Sequence, residues 1–374
     1  VRIAINTSFL NEWVGGLTVY SLSVIDYLCQ CGDEVVVYTP ECVKLNGHTP
    51  FRRRSSPAAL RSSVGALGNT LRAMVWCQTA LPAHLLRDRA DVLLSTTAEG
   101  MLVPVCPQVV VVHDLLPLFF PEEYPRWKYY FRHVLPRLLK SCRRVVADSE
   151  NTRKDLVREL GVPEEKIEVV YPWVNPLYSS DDPGISPKGY EPEPYFLFIG
   201  ASIPRKNLET VIRALARVRY EIPHNLVCVL GLNYESKRQY CSRMLALASE
   251  LGLQHRVQVL SRLGQREILY LYRHATALVM LSQYEGFGYP PLEAMAVGTP
   301  AIVSDSTSLG EVSGAAAQCV PCMDAKAAAE AMLRVATEAD YRRGLSEAGI
   351  SHAAKFSRQE TGRRVLSILQ ECAG

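Results

Sequence analysis

Two carboxylates eight positions apart, Glu285 and Glu293, bracket the segment EGFGYPPLE. Gly286 and Gly288 between them permit a tight turn and let a ligand approach the backbone closely. Upstream, TALVMLS (276–282) is a short apolar, β-branched run that reads as a buried strand. Downstream, Pro290 and Pro291 suit the first turn of a helix, LEAMAV supplies helix formers, and Gly298 marks its end. A strand, a glycine turn and a helix N-terminus together aim backbone N–H groups and a positive dipole end at an anion such as phosphate. Carboxylates repel phosphate, so the two glutamates suit hydroxyl donors instead, as on a sugar. The pattern points to a nucleotide-sugar site.

Other residues fall at similar junctions. Gly15-Gly16 precedes a helical run just after the first strand-like segment, without the GxGxxG spacing of a dinucleotide fold. It also reads as a plain turn. In GASIPRKNLETVIRAL, Arg205 and Lys206 stand beside Asn207, an expected N-cap, at the end of a strand. Two cations there suit a diphosphate, although an Arg-Lys pair is also common on plain surface loops. His113 ends the apolar run VVVVH and could donate to a substrate hydroxyl or developing oxyanion; a lone His packed at a sheet edge is the commoner case. Asp114 beside it could orient the turn. Asp148 and Glu150 in VVADSENT suggest a metal less well than Ser149 suggests an N-cap. No His, Cys and Asp cluster has convincing metal spacing, and Cys319-Val-Pro-Cys322 lacks both a partner pair and a following helix.

These residues need a frame to hold them. A chain of 374 residues with 48% hydrophobic content is long enough for two domains. Strand-like runs fall at 1–6, 34–39, 91–96, 108–113, 144–148 and 166–171, then at 195–200, 225–231, 256–260, 276–282, 300–304 and 316–320. Helical patterns between most of them predict two α/β units, each a doubly wound parallel sheet. The Pro-, Gly-, Ser- and Asp-rich stretch 173–194 reads as the linker, with Asp181 and Asp182 solvated. Facing sheets would hold a ligand in the interdomain cleft, outside the carboxyl ends of the strands.

Net charge of +3 makes no argument for nucleic acid. Locally, Arg52, Arg53, Arg54, Arg61, Arg72, Arg87 and Arg89 face a single acid, Asp88, within 51–90. Such a strip reads as a solvated face or as peripheral contact with an anionic membrane. No stretch of 18 apolar residues occurs, and VRIAIN reads as a strand rather than a signal peptide. Eleven scattered cysteines fit reduced thiols, and with them a cytoplasmic setting. Nothing signals an oligomeric state.

Taken together, Gly15-Gly16, HDLLPL (113–118), GASIPRKNL (200–208) and EGFGYPPLEAMAVGTPAIVSD (285–305) resemble the retaining glycosyltransferases of family 4, which have the GT-B fold. The resemblance covers nearly the whole chain. HDLLPLFFPEEY and PRKNL are most similar to bacterial mannosyltransferases of cell-surface polysaccharide assembly. It implies an N-terminal acceptor-side domain (1–172 plus 355–374, the last helix crossing back) and a C-terminal donor domain (195–354). Glu285 would contact donor-sugar hydroxyls, helped by backbone around Gly286, Phe287, Gly288 and Tyr289. Glu293 would bind the ribose, Arg205 and Lys206 the diphosphate, Gly15 and Gly16 the phosphates, and His113 would lie near the sugar.

No metal or cofactor is implied beyond the nucleotide-sugar donor, because the Arg-Lys pair replaces the metal. Front-side displacement, in which the leaving phosphate helps deprotonate the acceptor, explains the lack of an obvious general base. A carboxylate nucleophile is the alternative. Gly314-Ala315-Ala316 and Arg358 stand where relatives often carry Asp or Asn and an aromatic residue. The leading expectation is transfer of a hexose, mannose from GDP-mannose, to a lipid-linked or polysaccharide acceptor. The alternatives are a UDP-sugar transferase, a UDP-sugar 2-epimerase, and an idle sugar-nucleotide-binding module on the same fold.

Overall fold

The computed structural model describes residues 1–10, 16–43, 51–56, 66–190 and 194–374, without the side chains of 66–71. It forms two units, Val1–Trp173 with Ser357–Gly374, and Val174–Phe356.

The first unit is built on a seven-stranded sheet in the order β3-β2-β1-β4-β5-β6-β7. The strands are β1 (Arg2–Asn6), β2 (Glu34–Thr39), β3 (Arg52–Ser55), β4 (Val92–Ser95), β5 (Gln108–Val112), β6 (Arg144–Ala147) and β7 (Ile167–Val169). All pairings are parallel. Near-continuous Val, Ile and Leu in β1, β4 and β5 suits strands covered on both faces. On one face Val24 and Leu28 of the helix Gly16–Gln30, with Val365 and Leu369 of the C-terminal helix Arg358–Ala373, pack on Ile3, Ile5, Val37 and Leu94. On the other, Trp76, Leu81 and Leu85 cover Ala4, Tyr38 and Leu93, while Leu135, Leu138 and Leu139 cover Val110 and Val145. Ser357 caps the last helix through Glu360 N, and Arg358 pairs with Asp26 at 2.6 Å, which gives the unusual arginine a structural task.

β3 escaped the hydrophobic pattern because it is an edge strand of three arginines and a serine, paired to β2 from Val36 opposite Arg52. Its charges are used within the unit. Arg52 pairs with Glu34 at 3.2 Å and Arg54 with Asp88 at 2.7 Å, while Arg53 donates to the carbonyls of Pro40 (2.8 Å) and Val43 (3.1 Å). Arg87 lies 3.5 Å from Asp88. Four arginines of the basic strip therefore serve to blunt and fasten a sheet edge. Arg61 lies outside the described residues.

The second unit holds six parallel strands in the order β10-β9-β8-β11-β12-β13. They are β8 (Tyr195–Ala201), β9 (Asn225–Gly231), β10 (Val257–Leu260), β11 (Ala277–Met280), β12 (Ala301–Ser304) and β13 (Gln318–Val320). The segment after Trp173 packs on this unit. Tyr178 is buried edge-on against Tyr272, with ring centroids 5.5 Å apart. Asp182 is not merely solvated: it pairs with Arg266 at 3.0 Å and accepts from Gly184 N at 2.9 Å. Gly184 lies so close to the helix Gln265–His274 that a Cβ would stand 2.6 Å from Tyr270 N.

All eleven cysteines are free thiols. Among the described residues no helix is long and apolar enough to cross a membrane.

Candidate functional site

In the second unit the chain moves outward from β8 to β10 on one side and from β11 to β13 on the other. β8 and β11 are therefore the neighbours at which strand order reverses, and loops leaving their carboxyl ends diverge to leave a crevice. Arg205 and Lys206 follow β8, and Glu285 follows β11. The fold brings them together across 79 residues of sequence. Lys206 Nζ donates to Glu285 Oε1 at 2.5 Å, and Arg205 Nη1 lies 3.8 Å from the same oxygen. Burial pushes the Glu285 carboxyl up, but Lys206 and then Arg205 outweigh it and hold it below the usual range. Glu285 is thus a fixed anion with a cation on one side.

Its backbone is fastened as well. Glu285 N donates to Thr307 Oγ1 at 3.2 Å, and Ser308 Oγ donates to Glu285 O at 2.8 Å. Thr307 has φ of 52°, a left-handed conformation that is strained for a β-branched residue. Sequence reasoning passed over Thr307 and Ser308, because nothing in the string TSLGE announces a positive φ. Arg205 is 4% exposed, and Nη1 donates to Tyr284 O at 2.6 Å while its carbonyl accepts from Gln283 N at 2.9 Å. It knits the loop after β8 to the turn before Glu285. Lys206 is the more accessible of the two cations.

Asn207 precedes the helix Leu208–Arg217 as anticipated, but its side chain does not cap it. With φ of 57°, it turns Nδ2 to the carbonyls of Leu281 (2.9 Å) and Cys322 (2.7 Å), while Oδ1 accepts from Thr210 Oγ1. Three loops at the sheet's carboxyl edge are tied by one amide. Gly288, φ 104°, starts the helix Tyr289–Ala296. A Cβ there would also stand 2.6 Å from Leu309 Cδ2. Phe287 is buried between Tyr289 (5.1 Å) and Phe356 (6.0 Å) and anchors the turn.

The expected anion site at this helix changes in one respect. Pro290 and Pro291 remove two N–H donors from the first turn, so this helix offers a phosphate fewer backbone donors than an ordinary N-terminus. Glu293 lies within the helix, its Oε2 accepting from Tyr272 O–H at 2.8 Å. Burial, opposed by that one hydrogen bond, pushes its carboxyl up to about 7. Tyr272 was also missed, since a Tyr inside a helical stripe reads as core.

The first unit presents a different arrangement. His113 follows β5, with Nδ1 2.5 Å from Asp148 Oδ2 and Nε2 2.8 Å from Thr96 O. A carbonyl only accepts, so Nε2 carries a proton, and the carboxylate favours one on Nδ1 as well. Burial lowers the ring's pKa, but Asp148 more than offsets it and the value rises to about 9. Both N–H groups are spent inside the unit, so His113 offers none to a substrate oxygen. Asp148 is thereby a partner of His113, Glu150 pairs with Arg153 at 2.6 Å, and Ser149 caps the helix Glu150–Leu160 through Thr152 N. Asp114 Oδ1 accepts from Leu116 N at 3.0 Å and orients the turn. Gly16 opens its helix at the surface, and Gly15 lies outside the described residues. Among the described residues no three His, Cys, Asp or Glu side chains are placed to hold a metal.

Comparison with known proteins identifies the family of the chain. Residues 14–176 match the family described as Glycosyltransferase Family 4, and 185–352 match Glycosyl transferases group 1. The O-antigen chain mannosyltransferase RfbU of Salmonella typhimurium is 30% identical over 312 residues, covering 82% of this chain and 83% of the relative. The serotype-specific mannosyltransferase WbdA of Escherichia coli is 26% identical over 268 residues, 69% of this chain but 32% of that longer protein. The fold is shared with HepE of Anabaena in complex with UDP-glucose, at a TM-score of 0.74, 16% identity and 99% coverage of both chains. Two parallel-sheet Rossmann-like units with these matches make the fold GT-B, and the chain belongs to the group 1 and family 4 glycosyltransferases.

Proposed function

We propose that this glycosyltransferase moves mannose from GDP-mannose, with retention of anomeric configuration, to a lipid-linked or polysaccharide acceptor. The observation that carries a sugar-nucleotide role is the Glu285–Lys206–Arg205 constellation at the switch point of the second sheet. Mannose is favoured by the mannosyltransferases among the relatives. The ionised Glu285 suits hydroxyls of the donor sugar, and Lys206 suits the diphosphate. Glu293 would accept from the ribose hydroxyls, for which it must ionise. Charge on the leaving diphosphate is then met by the two cations and by turn amides, so the reading calls for no metal. His113, with both N–H groups engaged, acts in this reading through its fixed positive charge and not as a hydrogen-bond donor.

A UDP-sugar donor is the second reading, favoured by the UDP-glucose bound to the structural relative HepE. A panel of GDP-, UDP- and dTDP-sugars read by thermal shift separates the two, because bound ligand raises stability with its affinity. GDP-mannose should give the largest shift. An equal or larger shift with UDP-glucose would favour the second reading, and no shift with any sugar nucleotide would remove both. Proton NMR of the product tests retention: an inverted anomeric centre would contradict it.

A further inference from the structure

On the first unit, a cavity of about 260 Å³ opens between the helix Ala66–Gln78 and the segment around Tyr130–Leu138. Its walls are apolar: Met74, Val75, Leu102, Tyr130, Val134 and Leu138. The polar groups beside it are occupied elsewhere. Tyr130 O–H donates to Ala98 O at 2.8 Å, and Gln78 bridges Gly100 O and Leu102 N, both at 2.8 Å. Glu99 also lines it; Thr97 Oγ1 donates to its Oε2, and burial pushes the carboxyl up to about 7.

Two features of the surroundings say what the cavity takes. Large apolar side chains stay in water beside it: Val75 is 51% exposed and Val103, next to Leu102, is 80% exposed, with Val105 and Tyr129 also exposed. A folded surface with a cluster of this kind marks an interaction site. The elements forming the walls, 66–78 and 126–140, carry Arg72, Arg126, Lys128, Arg132, Arg137 and Lys140 and no acid. An apolar cavity whose wall-forming elements carry only cations fits an anionic amphiphile: a chain that leaves water and a phosphate that meets Lys and Arg. A cavity of roughly 150 Å³ takes the six carbons of benzene, so this one holds about ten.

We propose that this cavity binds the first hydrocarbon segment, about ten carbons, of a membrane lipid phosphate that carries the acceptor. The inference rests on the reading of a lipid-linked acceptor and assigns that lipid a place on the first unit. It also moves membrane contact away from the strip at β3, whose arginines are engaged within the fold.

The test is calorimetric titration of the full chain with n-decyl phosphate below its micelle concentration, against n-butyl phosphate and inorganic phosphate. Decyl phosphate should bind, with each methylene added between the two lengths tightening binding by about fourfold. Leu138→Trp, which fills the cavity, and Val75→Asp, an exposed change at the mouth that leaves the core intact, should each remove the chain-length dependence. Affinity independent of chain length, or both variants binding as the wild type does, would overturn the proposal. A wild type that ignores decyl phosphate but forms a dimer abolished by Val75→Asp would also overturn it, in favour of a second copy. Binding of GDP-mannose is read on the same samples. Its absence beside intact decyl phosphate binding would remove the donor reading and leave the cavity's assignment standing.

Discussion

Glu285 and Glu293 are the same side chain, eight positions apart, in opposite electrostatic states. Glu285 stands in a turn, where the loop after β8 delivers Lys206 to within 2.5 Å and the charge is held in place. Glu293 stands one helix turn further in, where the neutral hydroxyl of Tyr272 donates to it and burial drives the carboxyl towards protonation. Position relative to the sheet edge decides between them. A carboxylate at the mouth of the crevice meets cations from the neighbouring strand's loop, and one on the helix meets packed aromatic rings. The first is ready for a hydroxyl-rich ligand at any neutral pH. The second is only partly ionised near pH 7, and a ligand that supplies hydrogen-bond donors favours its charged form.

The comparison can be broken most severely at Lys206. Lys206→Ala leaves the largely buried Glu285 carboxylate with Arg205, 3.8 Å away, as its remaining cation, and should cost about 2–3 kcal/mol of stability by chemical denaturation. Donor affinity should fall about a hundredfold in the same variant. If both quantities barely move, Lys206 is not what holds the charge. Glu285→Gln should cost less stability than Lys206→Ala, because the amide oxygen can still accept from Lys206, yet lower donor affinity about tenfold through loss of a charged hydrogen bond worth about 1.5–3 kcal/mol.

Glu293→Gln tests the other half, and its sign is opposite. The folded-state pKa lies above the ordinary value, so the protonated acid's contribution is complete below about pH 4 and is lost as pH rises through about 7. The glutamine variant should therefore be more stable than wild type at pH 8, with the difference fading towards pH 5. Glu293 keeps partial access to solvent, so the gain is set at about 1–2 kcal/mol. A Glu293→Gln protein less stable than wild type at pH 8 would show that the carboxylate is not under strain. Wild-type donor affinity should also drop as pH falls from 8 to 6, and this slope should vanish in the variant. Tyr272→Phe is the mildest change: loss of one neutral hydrogen bond should raise the pH at which donor binding weakens by less than one unit.

Among the described residues, twelve of the thirteen strands follow apolar runs, because strands buried on both faces leave a hydrophobic trace. β3 left none, since an edge strand of arginines answers to Glu34 and Asp88 and not to a core. Arg205, Lys206 and Glu285 stood out because strand ends, glycines and charges coincide in sequence. Their partners did not. Thr307 owes its part to a left-handed backbone, and Tyr272 to a helix that packs beside Glu293. His113 was conspicuous, but its state depends on Asp148 and Thr96, which come from neighbouring strands of the sheet. Pairing across a sheet is set by register, and no local pattern carries it. Nitrogen-15 NMR of His113 at pH 8 should show the doubly protonated ring, and Asp148→Asn should return it to the neutral form.

The most direct test of the central claim is calorimetric titration of GDP-mannose into wild type and Lys206→Ala at pH 8. One binding site is expected in the wild type, weakened about a hundredfold when the lysine is removed. Equal affinity in the two proteins, or a wild type that binds no sugar nucleotide, would contradict it.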